Sequence, residues 1–487
     1  MAHHGVESTP PGADFSGTKT RIKSAVYTTL LLAAICWSGG FFVVANGDSR
    51  LVLGIPISEA VTEGTEGLLL VVSLLVTFTS DSLGYVHATS LRWALFREGR
   101  LEYNTNFRLF TSARTSFANG RFMNLVSAAS LVLSYACTSA LVLRGKLPMD
   151  RARAANAMAL LGLGLGLLGQ VATAAICLRH HESRILSWSA NPLWNTMVHL
   201  QDQALVKIEN QSGCDVRPRL CDQRLAQTSR PDLRYQGCRL WHIRATKWIV
   251  MFMWALCVVA FVWDGIIIYI PTLMFNNNPF RFQWQASATD TTHVVNFGMD
   301  PNTNDPQINT SFPIAAQFLL GILFLCLVQG LQSMGLHCVE LLVNMWRDEH
   351  TWRKAGRTQG ISVMAAGPLF EALSSWRTVL LTAIKAIQHW LLGQAMVLHY
   401  HLDGNDSEFT FNMSPSRLLI FACVTVVTAL FTTALALWPL HGVQPPAWGH
   451  LQTLAALVDD WEASDGRLRW TQPSEDIVDR HSARPVE

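Results

Sequence analysis

Residues 248–272 read WIVMFMWALCVVAFVWDGIIIYIPT, a run whose one charged side chain is Asp264. A bilayer core about 30 Å thick is crossed by roughly 20 apolar residues in a helix, so this segment is long enough to span. Seven other runs repeat the pattern, at 25–46, 66–87, 123–143, 154–178, 313–338, 378–400 and 416–438. They do not alternate apolar with polar residues as barrel strands do, and only a helix satisfies its own backbone in lipid. The expected fold class is all-α, a polytopic transmembrane helical bundle of about eight spans.

Composition agrees. Half of the 487 residues are hydrophobic (50%) and only 15% are charged, against about 25% in a soluble chain. Thirty-seven basic and 35 acidic residues give a net charge of +2, which excludes a generally basic nucleic-acid binder. The first run follows mostly polar residues that include Lys19, Arg21 and Lys23. It is longer than the apolar region of a signal peptide and reads as a signal anchor.

Cytosolic loops collect Lys and Arg. With both termini cytosolic, 29 basic residues fall in inside segments and 6 in outside ones. Four of those six, Arg144, Lys146, Arg151 and Arg153, crowd one short turn. The expected organisation is a polar N-terminus (1–24), a membrane domain (25–438) with a large inside loop (179–247), and a tail (439–487) with an amphipathic helix at about 447–462. N-x-S/T triplets at Asn309, Asn405 and Asn412 lie in outside segments and are candidate glycosylation sites. A further triplet at Asn210 lies in the inside loop. All ten cysteines lie in spans or in the inside loop, so disulfides are not expected. Cys214, Cys221, Cys238 and His242 lack the close CxxC knuckle of a zinc site and read as free thiols and a loop histidine; no metal and no cofactor is expected. An integral membrane protein of the secretory pathway, at the plasma membrane or an endomembrane, follows.

Two inside segments stand out. Residues 88–101 (ATSLRWALFREGRL) continue the second span without a breaker until Gly99. They read either as that span prolonged or as a basic helix on the anionic inner leaflet. In the tail, Leu451, Leu454, Leu457, Val458 and Trp461 form an apolar face at helical spacing, to be buried on the loops, on the bilayer or on a protein partner. ATSLRWALFREGRLEYNTNFRLFTSAR (88–114) and PPAWGHLQTLAALVDDW (445–461) resemble recurrent segments of a family of fungal polytopic integral membrane proteins with no assigned activity. The resemblance implies an architecture and no catalytic or binding residues.

Small residues let membrane helices approach closely. Ala155, Ala159, Gly162, Gly166, Gly169 and Thr173 form one face of the fourth span, and Ser127, Ser130, Ser134 and Thr138 one face of the third; these faces are expected to pack together or against a third helix. Gly164 lies off the stripe and marks a second close contact. Ionisable groups inside spans cost about 2.5–3.5 kcal/mol each at a helix centre and should find partners. By depth, Asp81 is expected to meet Lys385, and Asp264 to meet His389, with Gln329 and Gln332 completing a buried polar patch. His337, Glu340 and Asn344 form a row at the inner end of the sixth span that reads as a solvated helix end.

No GxxxxGK[ST], HExxH or GxSxG motif occurs, so no ATP-driven pump, zinc protease or serine hydrolase is signalled, and no enzyme activity is expected. The preferred reading is a membrane scaffold or organiser whose partners are the lipid bilayer and a protein bound to the tail helix. The alternative is a secondary transporter or channel using Asp81, Asp264, Lys385 and His389.

Overall fold

The computed structural model describes residues 15–47, 54–57, 64–144, 153–181, 185–202, 239–275, 292–296, 313–355, 361–362, 375–403, 406–440, 446–458 and 467–468. Its α-helices, in chain order, are α1 (Phe15–Asn46), α2 (Thr65–Arg97), α3 (Arg121–Ser139), α4 (Ala157–His181) and α5 (Pro192–Gln201). After the large loop come α6 (Arg244–Phe275), α7 (Ile314–Lys354), α8 (Trp376–Ala395), α9 (Pro415–Leu437) and α10 (Leu451–Leu457). The chain is an all-α polytopic bundle. Seven of the described helices are long and apolar enough to cross a membrane, namely α1–α4, α6, α7 and α9. Their outward surfaces carry bare apolar side chains such as Leu31, Phe42, Val258, Leu323 and Val427, while polar groups lie between the helices. That inversion of a soluble protein's surface suits a hydrocarbon solvent.

The far bound of the expected run 378–400 is corrected. Its helix ends at Ala395, and Met396–Asp403 is a strand. Hydropathy cannot separate the last turn of an apolar helix from a buried strand. α8 is not among the apolar helices because it carries Arg377, Lys385, Gln388, His389 and Gln394. It packs on α2, α3, α7 and α9, so from Gln388 to Ala395 all but one of its residues are buried. A helix wrapped by other helices can hold polar groups that a lipid-facing one cannot.

One end of the bundle is closed by a six-stranded sheet, in the order β1 (Gly54–Pro56), β3 (Arg153–Asn156), β2 (Val142–Arg144), β6 (Met396–Asp403), β7 (Asp406–Met413) and β4 (Thr292–Asn296). Every pairing is antiparallel except β2 with β6. Each of the four segments expected outside supplies at least one strand. The segments expected inside meet at the other end. There the 103–119 stretch, α5, the prolonged ends of α2 and α7, and residues 446–458 form a polar-cored inner layer. A pair of short strands, β5 (Ile361–Ser362) and β8 (Arg467–Leu468), joins the α7–α8 connection to the tail. α8 leads from this connection straight into β6, so it runs from the inner layer to the sheet.

α2 has 33 residues and α7 has 41, lengths of ~50 and ~60 Å, so both outrun the hydrocarbon. Residues 88–97 are therefore the second span prolonged. Leu91, Trp93, Ala94 and Leu95 are buried in protein, leaving no face for the bilayer surface. α1 likewise starts at Phe15, ten residues before the apolar run. The two segments that carried the family resemblance touch: the amide of Asn104 donates to the Gly449 carbonyl at 2.7 Å and that of Leu451 to Glu102 at 3.0 Å.

The expected tail helix is shorter than 447–462. Trp448 and Gly449 both have positive φ (51° and 74°), which no helix accepts, so α10 starts at Leu451. A Cβ on Gly449 would press on the Asp348 carboxylate at 2.8 Å. Glu349 holds this turn, accepting the amides of Ala447 (2.9 Å) and Trp448 (2.6 Å) while Arg353 donates to its other oxygen. The apolar face of α10 is buried on the chain itself, with Leu454, Leu457 and Val458 packed with Leu193 of α5 and Trp352 of α7.

The small faces meet. A Cβ on Gly166 would lie 2.5 Å from the Ser134 hydroxyl and 2.9 Å from the Ser130 carbonyl. Gln170 donates to Ser134 at 3.0 Å. Gly164 abuts Trp37 and the Ala33 carbonyl of α1, which is the second close contact.

Candidate binding site

α2 and α8 are tied at two depths. The Ser73 hydroxyl donates to the Ala386 carbonyl at 3.0 Å, and the Trp390 indole to the Glu66 carbonyl at 3.1 Å. This register brings Lys385 to Asp81: Nζ donates to Oδ1 at 2.9 Å. Lys385 is 2% exposed and has a second carboxylate, Glu340 Oε2, also at 2.9 Å. His337 Nδ1 lies 2.9 Å from the same Glu340 oxygen. His337 and Glu340 are three apart on α7 and so share a face. One buried ammonium is thus held by carboxylates from two helices, with an imidazole behind.

The expected patch divides into separate groups. Asp81 and Lys385 pair as depth suggested, but Asp264 and His389 do not. His389 stacks on Tyr135 (centroids 3.6 Å apart, planes at 10°) and its Nδ1 lies 2.7 Å from Gln329 Oε1. Gln332 donates to Gln388, whose amide reaches the Thr428 hydroxyl at 2.7 Å. Asp264 stands apart, 4% exposed, with Oδ1 lacking a hydrogen-bond partner among the described residues. Depth is readable along a sequence; the rotation of each helix about its axis is not.

Asp81, Glu340, His337 and Lys385 line a cavity of about 640 Å³ bounded by α1, α2, α7, α8 and the 104–110 stretch. The row His337, Glu340, Asn344 therefore faces this cavity, and the solvated-end reading is corrected: α7 continues well past the point where its apolar run stops. Arg108 enters from the inner layer. It lies against Gly84, where a Cβ would collide with its guanidinium, and Gly84 is one turn from Asp81. Its charge reaches Glu340 and His337, yet its guanidinium has no hydrogen bond or ion pair among the described residues.

Asp81, His337 and Glu340 could also offer three ligand atoms to a metal, all within 4.8 Å of one another. The Lys385 ammonium already lies between the carboxylates, so a divalent ion would have to displace it. The set suits a tethered cation that can be exchanged.

No protein-family model, curated protein or solved structure matches the chain.

A second ionic group lies at the sheet end of the same two helices. Arg417 donates to Glu66 Oε1 at 2.9 Å and to Gln394 Oε1 at 3.0 Å, and Arg144 donates to Gln394 at 2.6 Å. Burial, then Arg417 and Arg153, push Arg144 down to about 10, which leaves it charged at neutral pH. This explains part of the dissenting outside charge: Arg144 is used between strand and helix. The sequence signal for it was Glu66, the acidic residue in the first turn of α2.

Beneath the cavity, Asn104 joins the inner layer together. Its amide donates to Ala190 and Asp348, each at 2.9 Å, and its carbonyl oxygen accepts from Asn195 and Arg92. His199 of α5 stacks on Phe96; burial and then Arg92 push its pKa down to about 3. Of the candidate glycosylation sites, Asn309 and Asn405 lie outside the described residues. Asn412 is 2% exposed within β7, a position closed to a glycan in the folded chain. Cys214, Cys221 and Cys238 also lie outside them.

Proposed function

We propose that this multi-pass membrane protein is a secondary transporter whose site is the Lys385 cluster and the cavity it lines. The observation that carries the reading is a buried ammonium shared by Asp81 and Glu340 and facing a cavity of about 640 Å³, within the usual range for small-molecule sites. Lys385 is buried, while the Asp81 and Glu340 side chains that hold it are 23% and 40% exposed and line the cavity. Taking the ammonium out of water costs several kcal/mol before pairing, and a purely structural contact could be built more cheaply from apolar residues. Releasing the ammonium requires its carboxylates to take up a proton or another cation. Occupancy of the cavity is thereby coupled to ion uptake. Of the features behind the scaffold reading, the tail helix offers a partner less surface, since Leu454, Leu457 and Val458 are packed with residues of α5 and α7; Trp461 lies outside the described residues. The basic bias of the inner segments supports cytosolic termini in a secretory-pathway membrane.

Alternating access is the test. Thr382 lines the cavity one turn before Lys385. In sealed vesicles of known orientation, Thr382→Cys should react with a membrane-impermeant thiol reagent from either face, and Asp81→Asn should abolish reaction from one of them. Labelling from one face only, unaffected by Asp81→Asn, would falsify the transporter.

A further inference from the structure

We propose that the occupant of this cavity is a lipid with an anionic head, the head lying between Lys385 and Arg108 and the chain along α1 and α2. The proposal rests on the transporter reading and names its substrate class. Charge is the first ground. The lining holds five cationic side chains, Arg21, Arg92, Arg108, Arg347 and Lys385, against the carboxylates Asp81 and Glu340. Arg92 is bonded to Asn104 and the Ser189 carbonyl, and Arg347 to Asp348. Lys385 is held by its two carboxylates. Arg21 and Arg108 are left with no hydrogen bond or ion pair among the described residues. Two guanidiniums with no hydrogen-bond partner among the described residues, beside an exchangeable ammonium, favour an anion, and Arg recognises a phosphate or carboxylate through paired N–H donors.

The apolar lining is the second ground. Ile22, Leu74, Phe78 and Val379 are among the cavity's wall residues, and the last three are 42%, 50% and 44% exposed. Ile22 belongs to α1 and Leu74 and Phe78 to α2, helices whose outer surfaces meet the bilayer, so the wall continues into the lipid-facing surface and lets a chain enter sideways. Depth is the third. Arg21 opens the first apolar helix, and Arg108 belongs to the layer that closes the bundle's inner end. The cations therefore stand where inner-leaflet heads lie, and basic pockets between helices at this depth hold anionic heads. A free polar anion needs the cations but not the greasy wall.

The experiment is retention by the full-length protein in neutral detergent, read by native mass spectrometry. The probes are phosphatidic acid, phosphatidylcholine with the same acyl chains, and inorganic phosphate. One phosphatidic acid per chain should be retained in preference to phosphatidylcholine. Arg108→Gln should weaken retention roughly tenfold, the effect of losing one charge-assisted contact, and millimolar phosphate should not displace the lipid. Equal retention of both lipids, or unchanged retention in Arg108→Gln, overturns the proposal. Displacement by phosphate overturns it in favour of a free anion. Should Arg108→Gln fail to fold, Arg21→Gln, on an exposed turn of α1, serves in its place, with the same preference expected to shrink. If the lipid preference fails while Thr382→Cys still labels from both faces, the head-group assignment falls and the transporter remains. If labelling fails as well, both fall.

Discussion

α2 and α8 carry two ionic groups, one near each end, and the two are built differently. At the sheet end, Glu66 and Gln394 receive Arg417 and Arg144, each guanidinium donating to at least one acceptor, with strands packed above. About 22 Å away along α2, Asp81 and Lys385 are joined by Glu340 and His337, and the group borders the cavity, with Arg108 free of hydrogen bonds and ion pairs among the described residues. The same two helices thus supply a closed fastening at one end and an open, exchangeable one at the other. A structural ion pair uses up its charges, whereas a binding site keeps some in reserve.

The contrast can be broken most severely at Lys385. Lys385→Met leaves Asp81 and Glu340 facing each other without a cation, and should cost about 3–5 kcal/mol, read as a large fall in melting temperature in detergent. Adding Asp81→Asn should recover part of that loss. An additive double variant would mean that the pair seen here is energetically idle.

Glu66→Gln should be milder, about 1–3 kcal/mol, because Arg417 keeps its bonds to Gln394. It should leave Thr382→Cys labelling unchanged. A labelling pattern altered as much as by Asp81→Asn would erase the distinction between the two ends.

Gly166→Ala tests the frame common to both. The new methyl would meet the Ser130 backbone carbonyl at 2.9 Å, which cannot swing away, so about 1–3 kcal/mol should be lost to overpacking. Gly265→Ala, with nothing within 4 Å of its Cβ, is the control and should be neutral or slightly stabilising.

The smallest effect is that of pH on the inner layer. His199 has a folded pKa of about 3 against 6.5 unfolded, so between those values the unfolded chain binds the extra proton. Stability from His199 is then whole above about pH 6.5 and declines as pH falls toward 3. Glu98 acts at lower pH. Burial opposes its ionisation, but amides of Thr115 and Arg114, the Thr115 hydroxyl and Arg100 hold it at about 2. Its contribution is full above about 4.5 and is lost as pH falls toward 2. Melting temperatures of His199→Phe should therefore be flatter than wild type between pH 6.5 and 5. A parallel decline in both would remove His199 from this account.

The sequence by itself determined the properties that run along one dimension. Apolar length marked the spans, the Lys and Arg bias separated the two ends, and the 3.6-residue recurrence of glycines from Gly162 to Gly169 exposed the α3–α4 contact. Depth was enough to pair Asp81 with Lys385. Only the tertiary structure decided which way each helix turns and where it stops being in the membrane. Rotation separates His389 from Asp264 and gives it to Gln329 and Tyr135. The long inner extension of α7 turns His337 and Glu340 from a helix end into cavity wall. Arg108 comes from a stretch whose position depends on Gly84 and Asn104, residues far apart in sequence. Such contacts are set by packing among several helices at once, and the hydrophobic pattern of any one helix is indifferent to them.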